Sequence, residues 1–233
     1  MRLKRTQLLT VIYFLVAAVE VLAEMCANKP IILIAKPSIT LILILMYLQS
    51  SVSKNILFVL AMTLSLITNL FFIPNTEQML FYGIIAFLLH RLLVIYIIFA
   101  LVKIKDLIPT FIATIPFVLV FFYLFFITDQ IPENSFAIIV VSNLLISVLG
   151  GVSVANYVMR DTKSSSLLLL AGLLLVLMQL VVFVEKYYLS HMSPVILRPI
   201  SMGFHVLAFY ALVQFVIAGE REQLDDNTTA IAD

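Results

Sequence analysis

Eight apolar runs, each close to the length of a membrane span, divide this chain, and no other property constrains its fold as tightly. They are approximately Gln7–Ala27, Ile31–Gln49, Asn55–Ile73, Met79–Val102, Leu107–Thr128, Phe136–Met159, Ser165–Val184 and Ser193–Ala218. About 20 apolar residues in a helix cover the hydrocarbon core of a bilayer. Inside hydrocarbon every backbone polar group must find its partner within the protein, so runs of this length become helices. The predicted class is therefore all-α: a polytopic membrane bundle of about eight transmembrane helices. Composition agrees, because 63% hydrophobic against 12% charged residues lies outside the range of soluble domains. The connectors fit as well. Asn28-Lys29-Pro30, Pro74-Asn75-Thr76-Glu77, Asp129 to Asn134 and Arg160-Asp161-Thr162-Lys163 all combine helix breakers with charge. We expect one transmembrane domain over residues 1–219 and a polar, frayed cytoplasmic tail over 220–233.

The first run follows Arg2, Lys4 and Arg5 and resembles a signal peptide at first sight. Glu20 and Glu24 interrupt it, however, and no small-x-small cleavage site follows, so it reads as a retained helix. Orientation follows from the basic residues. One side of the predicted bundle carries nine of them, Arg2, Lys4, Arg5, Lys54, Lys103, Lys105, Arg160, Lys163 and Arg221, whereas the other carries only Lys29 and Lys186. The positive-inside rule then makes both termini cytoplasmic. The near balance of 14 basic and 13 acidic residues offers no basic surface, so nucleic acid is not an expected partner. Cys26 is the single cysteine, which excludes an internal disulfide and any multi-cysteine metal site.

The three remaining cations, Lys36, Arg91 and Arg198, fall inside predicted spans. A charge in hydrocarbon costs roughly 2.5–3.5 kcal/mol on insertion scales, so such residues face the bundle interior and mark sites. Lys36 is followed by Pro37, which deletes a backbone donor and frees a carbonyl one turn earlier. At the helical rise, Glu24, Lys36, Asn69, Gln179 and Arg198 lie towards the outer face, with His90, Arg91 and His205 nearer the midplane. Groups from distant parts of the sequence at similar depth point to a polar cavity in the outer half of the bundle. Each residue also has a plainer reading. Glu20 and Glu24, one turn apart, can pair with Lys36 or Arg198 as structural glue, and Asn69 and Gln179 can form interhelical hydrogen bonds. His90-Arg91 can serve an anionic headgroup or close a buried ion pair. Lys186 with Tyr187-Tyr188 suits an interfacial anchor, and Gly150-Gly151 suits close helix packing.

The signatures of soluble enzymes are missing: no Walker loop, no Gly-x-Ser-x-Gly elbow and no His-Glu-x-x-His pair. His90, His191 and His205 lie in separate segments, so no metal and no cofactor is expected. A transporter would suit the buried charges, but no inverted repeat with paired broken helices is recognisable.

Four features carry a resemblance to a known family. Glu24 late in the first helix is followed by Lys36-Pro37 early in the second. GIIAFLLHRLLVIYIIF begins at Gly83 in the fourth, AGLLLVLMQ begins at Ala171 in the seventh, and Tyr210 precedes Gln214 in the eighth. In these features, in length and in helix count, the chain resembles the lysoplasmalogenase-like (YhhN-like) integral membrane proteins. The resemblance implies a bacterial inner (cytoplasmic) membrane protein that acts on the vinyl-ether bond of lysoplasmalogens, with a membrane lipid or lysolipid as ligand. That hydrolysis requires proton transfer to carbon, for which the family supplies an aspartate on helix three and another on helix seven. The matching positions here are Asn69 and Gln179, and Arg91 stands where the family has a histidine, with His90 beside it. An amide forms hydrogen bonds but exchanges no proton in the working pH range.

Two readings follow. In one, the chain is a divergent relative whose hydrolase activity is reduced or lost and which binds an amphiphile through Lys36, His90, Arg91, Arg198, Tyr210 and Gln214, or serves as a membrane subunit or homodimer. In the other, it is an ether-lipid hydrolase that has moved its acid to Glu24 or Glu20, with Lys36 and Arg91 holding the phosphate.

Overall fold

The computed structural model describes residues 2–74, 76–102, 106–128, 131, 133–189 and 196–232, with side chains described except at 2–4, 133–134 and 227–232. His191, Lys103 and Lys105 lie outside the described residues, as do the side chains of Arg2 and Lys4. The described chain forms eight helices and no strand: α1 (Arg2–Met25), α2 (Lys29–Ser50), α3 (Ile56–Phe72), α4 (Glu77–Leu101), α5 (Leu107–Phe126), α6 (Glu133–Met159), α7 (Lys163–Phe183, continued by a π-helical turn over Val184–Tyr188) and α8 (Leu197–Ala232). Seven of them are long and apolar enough to cross a membrane, while α3, at 17 residues, is shorter.

Local chemistry sets the boundaries. Asn28, Asn55, Thr76 and Asp106 cap α2, α3, α4 and α5 by accepting from backbone N–H groups of the first turn. Thr162 and Ser165 form a reciprocal capping box at the start of α7. Pro30 sits in the first turn of α2, where its missing donor costs nothing. Pro37 lies inside the same helix, which nevertheless continues to Ser50.

Consecutive helices pair as α1/α2, α3/α4, α5/α6 and α7/α8, and α8 also packs on α1, α2 and α4. It is the most buried helix and α5 the most exposed. Tyr13, Tyr47, Phe58, Phe183, Phe209 and Phe215 are fully buried in the shared core. Gly150 and Gly151 permit the close packing their sequence suggests. A Cβ at Gly151 would lie 2.8 Å from the Thr114 backbone of α5, and one at Gly150 would lie 3.0 Å from Val176 of α7.

Both ends of the chain lie at one end of the bundle. Thr6 and Ser50 share a hydroxyl hydrogen bond (3.4 Å), and Arg221 donates to the Ser50 carbonyl (3.4 Å). The C-terminal segment differs from the frayed tail expected from its polarity, because α8 continues unbroken through it. Glu220 is buried and accepts from Tyr47 (2.5 Å) and Ser51 (2.6 Å), Ser164 donates to Glu222 (2.6 Å), and Gln223 donates to the Ala100 carbonyl (2.9 Å). Four successive residues thereby tie α8 to the ends of α2, α4 and α7. The physical reason is that polar side chains at this level find partners on neighbouring helix ends, which outweighs the fraying expected of a polar segment.

Candidate functional site

At the end of the bundle opposite the termini, α1 and α2 bring Glu20, Glu24 and Lys36 together. The Lys36 ammonium donates to Glu24 Oε1 at 3.0 Å and lies 3.9 Å from Glu20 Oε1. Glu20 is completely buried, and neither of its oxygens has a hydrogen-bond partner. Sequence spacing explains the meeting: Glu20 and Glu24 share a helix face at one turn's separation, and the short 26–28 connector folds α2 back against that face. Arg198 takes no part. Its Nε donates to Glu185 Oε1 at 2.6 Å, joining the π-helical turn to the start of α8. Lys186 lies 5.1 Å from the Phe72 ring centroid, and Tyr188 is exposed, consistent with an aromatic and basic rim.

Deeper in the bundle, a second group forms across α4, α6 and α7. The buried Arg91 guanidinium donates to the Ser142 carbonyl (2.9 Å), to the Ser142 hydroxyl and to Gln179 Oε1, and lies 4.2 Å over the Phe87 ring. Gln179 in turn donates through Nε2 to Asn143 Oδ1 at 2.8 Å. Among the described residues no carboxylate pairs with Arg91, so the buried ion pair open to it in the sequence is not formed. Its neighbour His90 donates through Nδ1 to the Ala61 carbonyl of α3 (2.7 Å) and is stacked between Phe87 and Phe209. His205 packs its ring 4.2 Å from that of Phe209. Both histidines are buried, and their observed contacts are those of core residues.

Asn69 belongs to neither group. It donates to Thr40 Oγ1 at 3.2 Å, linking α3 to α2. Tyr210 is half-buried and stacks on Tyr13, whose own hydroxyl donates to the Val206 carbonyl (2.7 Å). Gln214 lies one turn further along the same face of α8 and is also half-buried. The polar residues that share a depth in the sequence thus divide among separate helix pairs. Two cavities are described, and both have mainly apolar walls. One of about 290 Å³ lies between α5 and α7, and a smaller one of about 40 Å³ lies between α5 and α6, with Asn143 and Ser147 its polar lining. Among the described residues no three His, Cys, Asp or Glu side chains converge as a metal site.

Ser142, which accepts from Arg91, and Asn143, which accepts from Gln179, are not among the expected site residues, although two adjacent polar residues inside an apolar run are a visible signal in the sequence. Glu220, expected in the tail, is likewise packed within the bundle. The signal there was helical periodicity, since Phe209, Val213, Val216 and Glu220 repeat along one face and all four are buried.

The sequence model of the YhhN family matches residues 31–220, four-fifths of the chain, from the start of α2 to the buried Glu220. No curated protein and no solved structure matches the chain.

Proposed function

Because the chain belongs to the YhhN family, we propose that it is an integral membrane protein that holds a lysolipid-type amphiphile by its headgroup in the half of the bundle opposite its termini, with vinyl-ether hydrolase activity reduced or lost. The observation that carries this reading is the state of the two amides. Gln179 accepts from Arg91 and donates to Asn143, while Asn69 donates to Thr40. Both act as interhelical ties. Neither exchanges a proton, so neither supplies the acid that protonation of a vinyl-ether carbon demands. The Lys36–Glu24 pair supports the headgroup assignment. Its opposite charges, 3.0 Å apart and only slightly exposed, match a phosphate and an ammonium respectively. The nine-to-two distribution of basic residues supports cytoplasmic termini in a bacterial inner membrane, which puts the headgroup site in the outer half.

One observation favours the alternative of an active hydrolase with a relocated acid. Glu20 is buried beside Lys36 with both carboxyl oxygens unpartnered, and an acid held near an ammonium has the residue types for the chemistry. Proton transfer to the vinyl carbon, attack of water on the resulting oxocarbenium ion and collapse of the hemiacetal would release an aldehyde and a glycerophospho-alcohol.

The test is fatty aldehyde release from a lysoplasmalogen by the purified protein, alongside Glu20→Gln and the double variant Asn69→Asp/Gln179→Asp, with bound lysolipid read by native mass spectrometry. We expect a silent wild type that retains lysolipid. Wild-type turnover lost in Glu20→Gln would establish the hydrolase instead. Empty protein that no added lysolipid stabilises would defeat the binding assignment.

A further inference from the structure

A protein that buries a full positive charge ordinarily buries a negative one beside it, because an uncompensated ion in a low-dielectric interior is costly. Arg91 breaks this rule. The residue is 3% exposed, and among the described residues its partners, the Ser142 carbonyl and hydroxyl, the Gln179 amide and the Phe87 ring, are all neutral. The hydrogen bonds around it also run in one direction. Arg91 donates to Gln179, Gln179 donates to Asn143, and Asn143, 2% exposed, ends the series with its Nδ2 donor unpartnered. Bonds aligned in series polarise one another, so the positive character of the guanidinium is passed along to Asn143 Nδ2. Donors exceed acceptors in this knot, and the excess calls for an acceptor that carries negative charge.

Asn143 lines the small cleft between α5 and α6, whose other walls include Phe121, Phe122 and Leu144. Phe121 is also a wall of the larger groove between α5 and α7, where the remaining lining is entirely apolar. Phe121 is therefore a wall common to both spaces. Helix α5, which borders both spaces, is the least buried of the helices and carries Pro116 beside the groove. A slot of about 40 Å³ whose polar lining is Asn143 and Ser147, with the Ser147 hydroxyl already donating to the Asn143 carbonyl, lies next to an apolar groove of about 290 Å³ and fits a small anionic head on a single chain. A phosphodiester with its substituents is too bulky for the slot, whereas a carboxylate is small and planar.

We propose that Asn143 and Arg91 form a binding site for a long-chain carboxylate, whose head accepts from Asn143 Nδ2 and whose alkyl chain follows α5 into the groove past Phe121. The site uses neither Lys36 nor Glu24 and stands whether or not the headgroup reading holds. It gives the amide at 179 a purpose: a carboxylate there would pair with Arg91 and cancel the charge that the site presents.

The experiment is equilibrium binding of radiolabelled palmitate to the purified full chain, with competition by unlabelled palmitate, hexadecanol and lysophosphatidate. Saturable binding is expected, displaced by palmitate and at least about tenfold less well by the other two. Asn143→Leu should weaken binding by about tenfold or more. Gln179→Glu should abolish it while raising the melting temperature, because the new carboxylate satisfies Arg91; a merely structural role for this knot would not couple greater stability to lost binding. Absence of saturable binding to folded wild type, or wild-type affinity in a folded Gln179→Glu protein, would overturn the assignment. So would equal displacement by hexadecanol or by lysophosphatidate. Loss of binding in Lys36→Met with retention in Asn143→Leu would place the ligand at the outer pair and also refute the proposal.

Discussion

Replacing Tyr47 by phenylalanine should loosen the terminal end of the bundle, and its cost can be worked from the contacts. The Tyr47 hydroxyl donates to Glu220 Oε1 at 2.5 Å and accepts from the Asn55 N–H at 2.8 Å, so it joins α2, the start of α3 and α8. Phenylalanine keeps the ring against Phe58, where the centroids lie 4.6 Å apart, and opens no cavity of consequence. The loss is therefore polar. A hydrogen bond to a charged group contributes about 1.5–3 kcal/mol, and an unsatisfied donor costs about 1–3 kcal/mol. Asn55 is only half-buried and recovers part of its loss from water. We expect a destabilisation of about 2–4 kcal/mol, which for a chain of this length lowers the melting temperature by roughly 5–15 °C. The chain has no tryptophan, so melting is best followed by far-UV circular dichroism in a mild detergent. Glu220→Leu, which leaves no acceptor at this position, provides the second edge of a double-mutant cycle. Because both variants remove the same bond, their effects should fall short of additivity by about 1 kcal/mol or more. Strict additivity, or a Tyr47→Phe melt within roughly 2 °C of wild type, would refute the idea that this carboxylate clamps α8 to α2.

Two further outcomes follow from the opposite end of the molecule. Lys36→Met leaves Glu20 and Glu24 facing each other without their ammonium and should destabilise by about 3–5 kcal/mol; adding Glu20→Gln should recover part of this, and a Lys36→Met melt equal to wild type would show that the pair does not hold α1 to α2. Cys26, the sole cysteine and an exposed one, should react with a membrane-impermeant maleimide in intact cells if the termini are cytoplasmic. Labelling only after permeabilisation would reverse that orientation.

Some of this was legible in the chain itself and some was not. Eight helices, their approximate limits and the membrane class follow from the lengths of the apolar runs and the caps between them, because a bilayer leaves a chain few alternatives. The Glu24–Lys36 pair was also within reach, since both residues flank one short connector and local geometry places them face to face. The family resemblance rested on motifs of the same local kind, and the match over residues 31–220 bears it out.

What the sequence by itself determined was therefore the set of helices and the depth of each polar residue within its own helix. Which helices meet was decided only by tertiary packing. Depth is one coordinate of a side chain in the bundle; the direction in which it points around the helix axis, and the neighbour it meets there, depend on how all eight helices pack together. Arg198 and Lys36 lie at similar depth, yet Arg198 turns to Glu185 and Lys36 to Glu24. Gln179 and Asn69 both read as substituted acids, yet one completes the Arg91 knot and the other ties α3 to α2. Glu220 shows the same limit, since its charge reads as solvent-exposed tail until α8 carries it onto Tyr47 and Ser51, where two hydroxyl donors make its burial favourable.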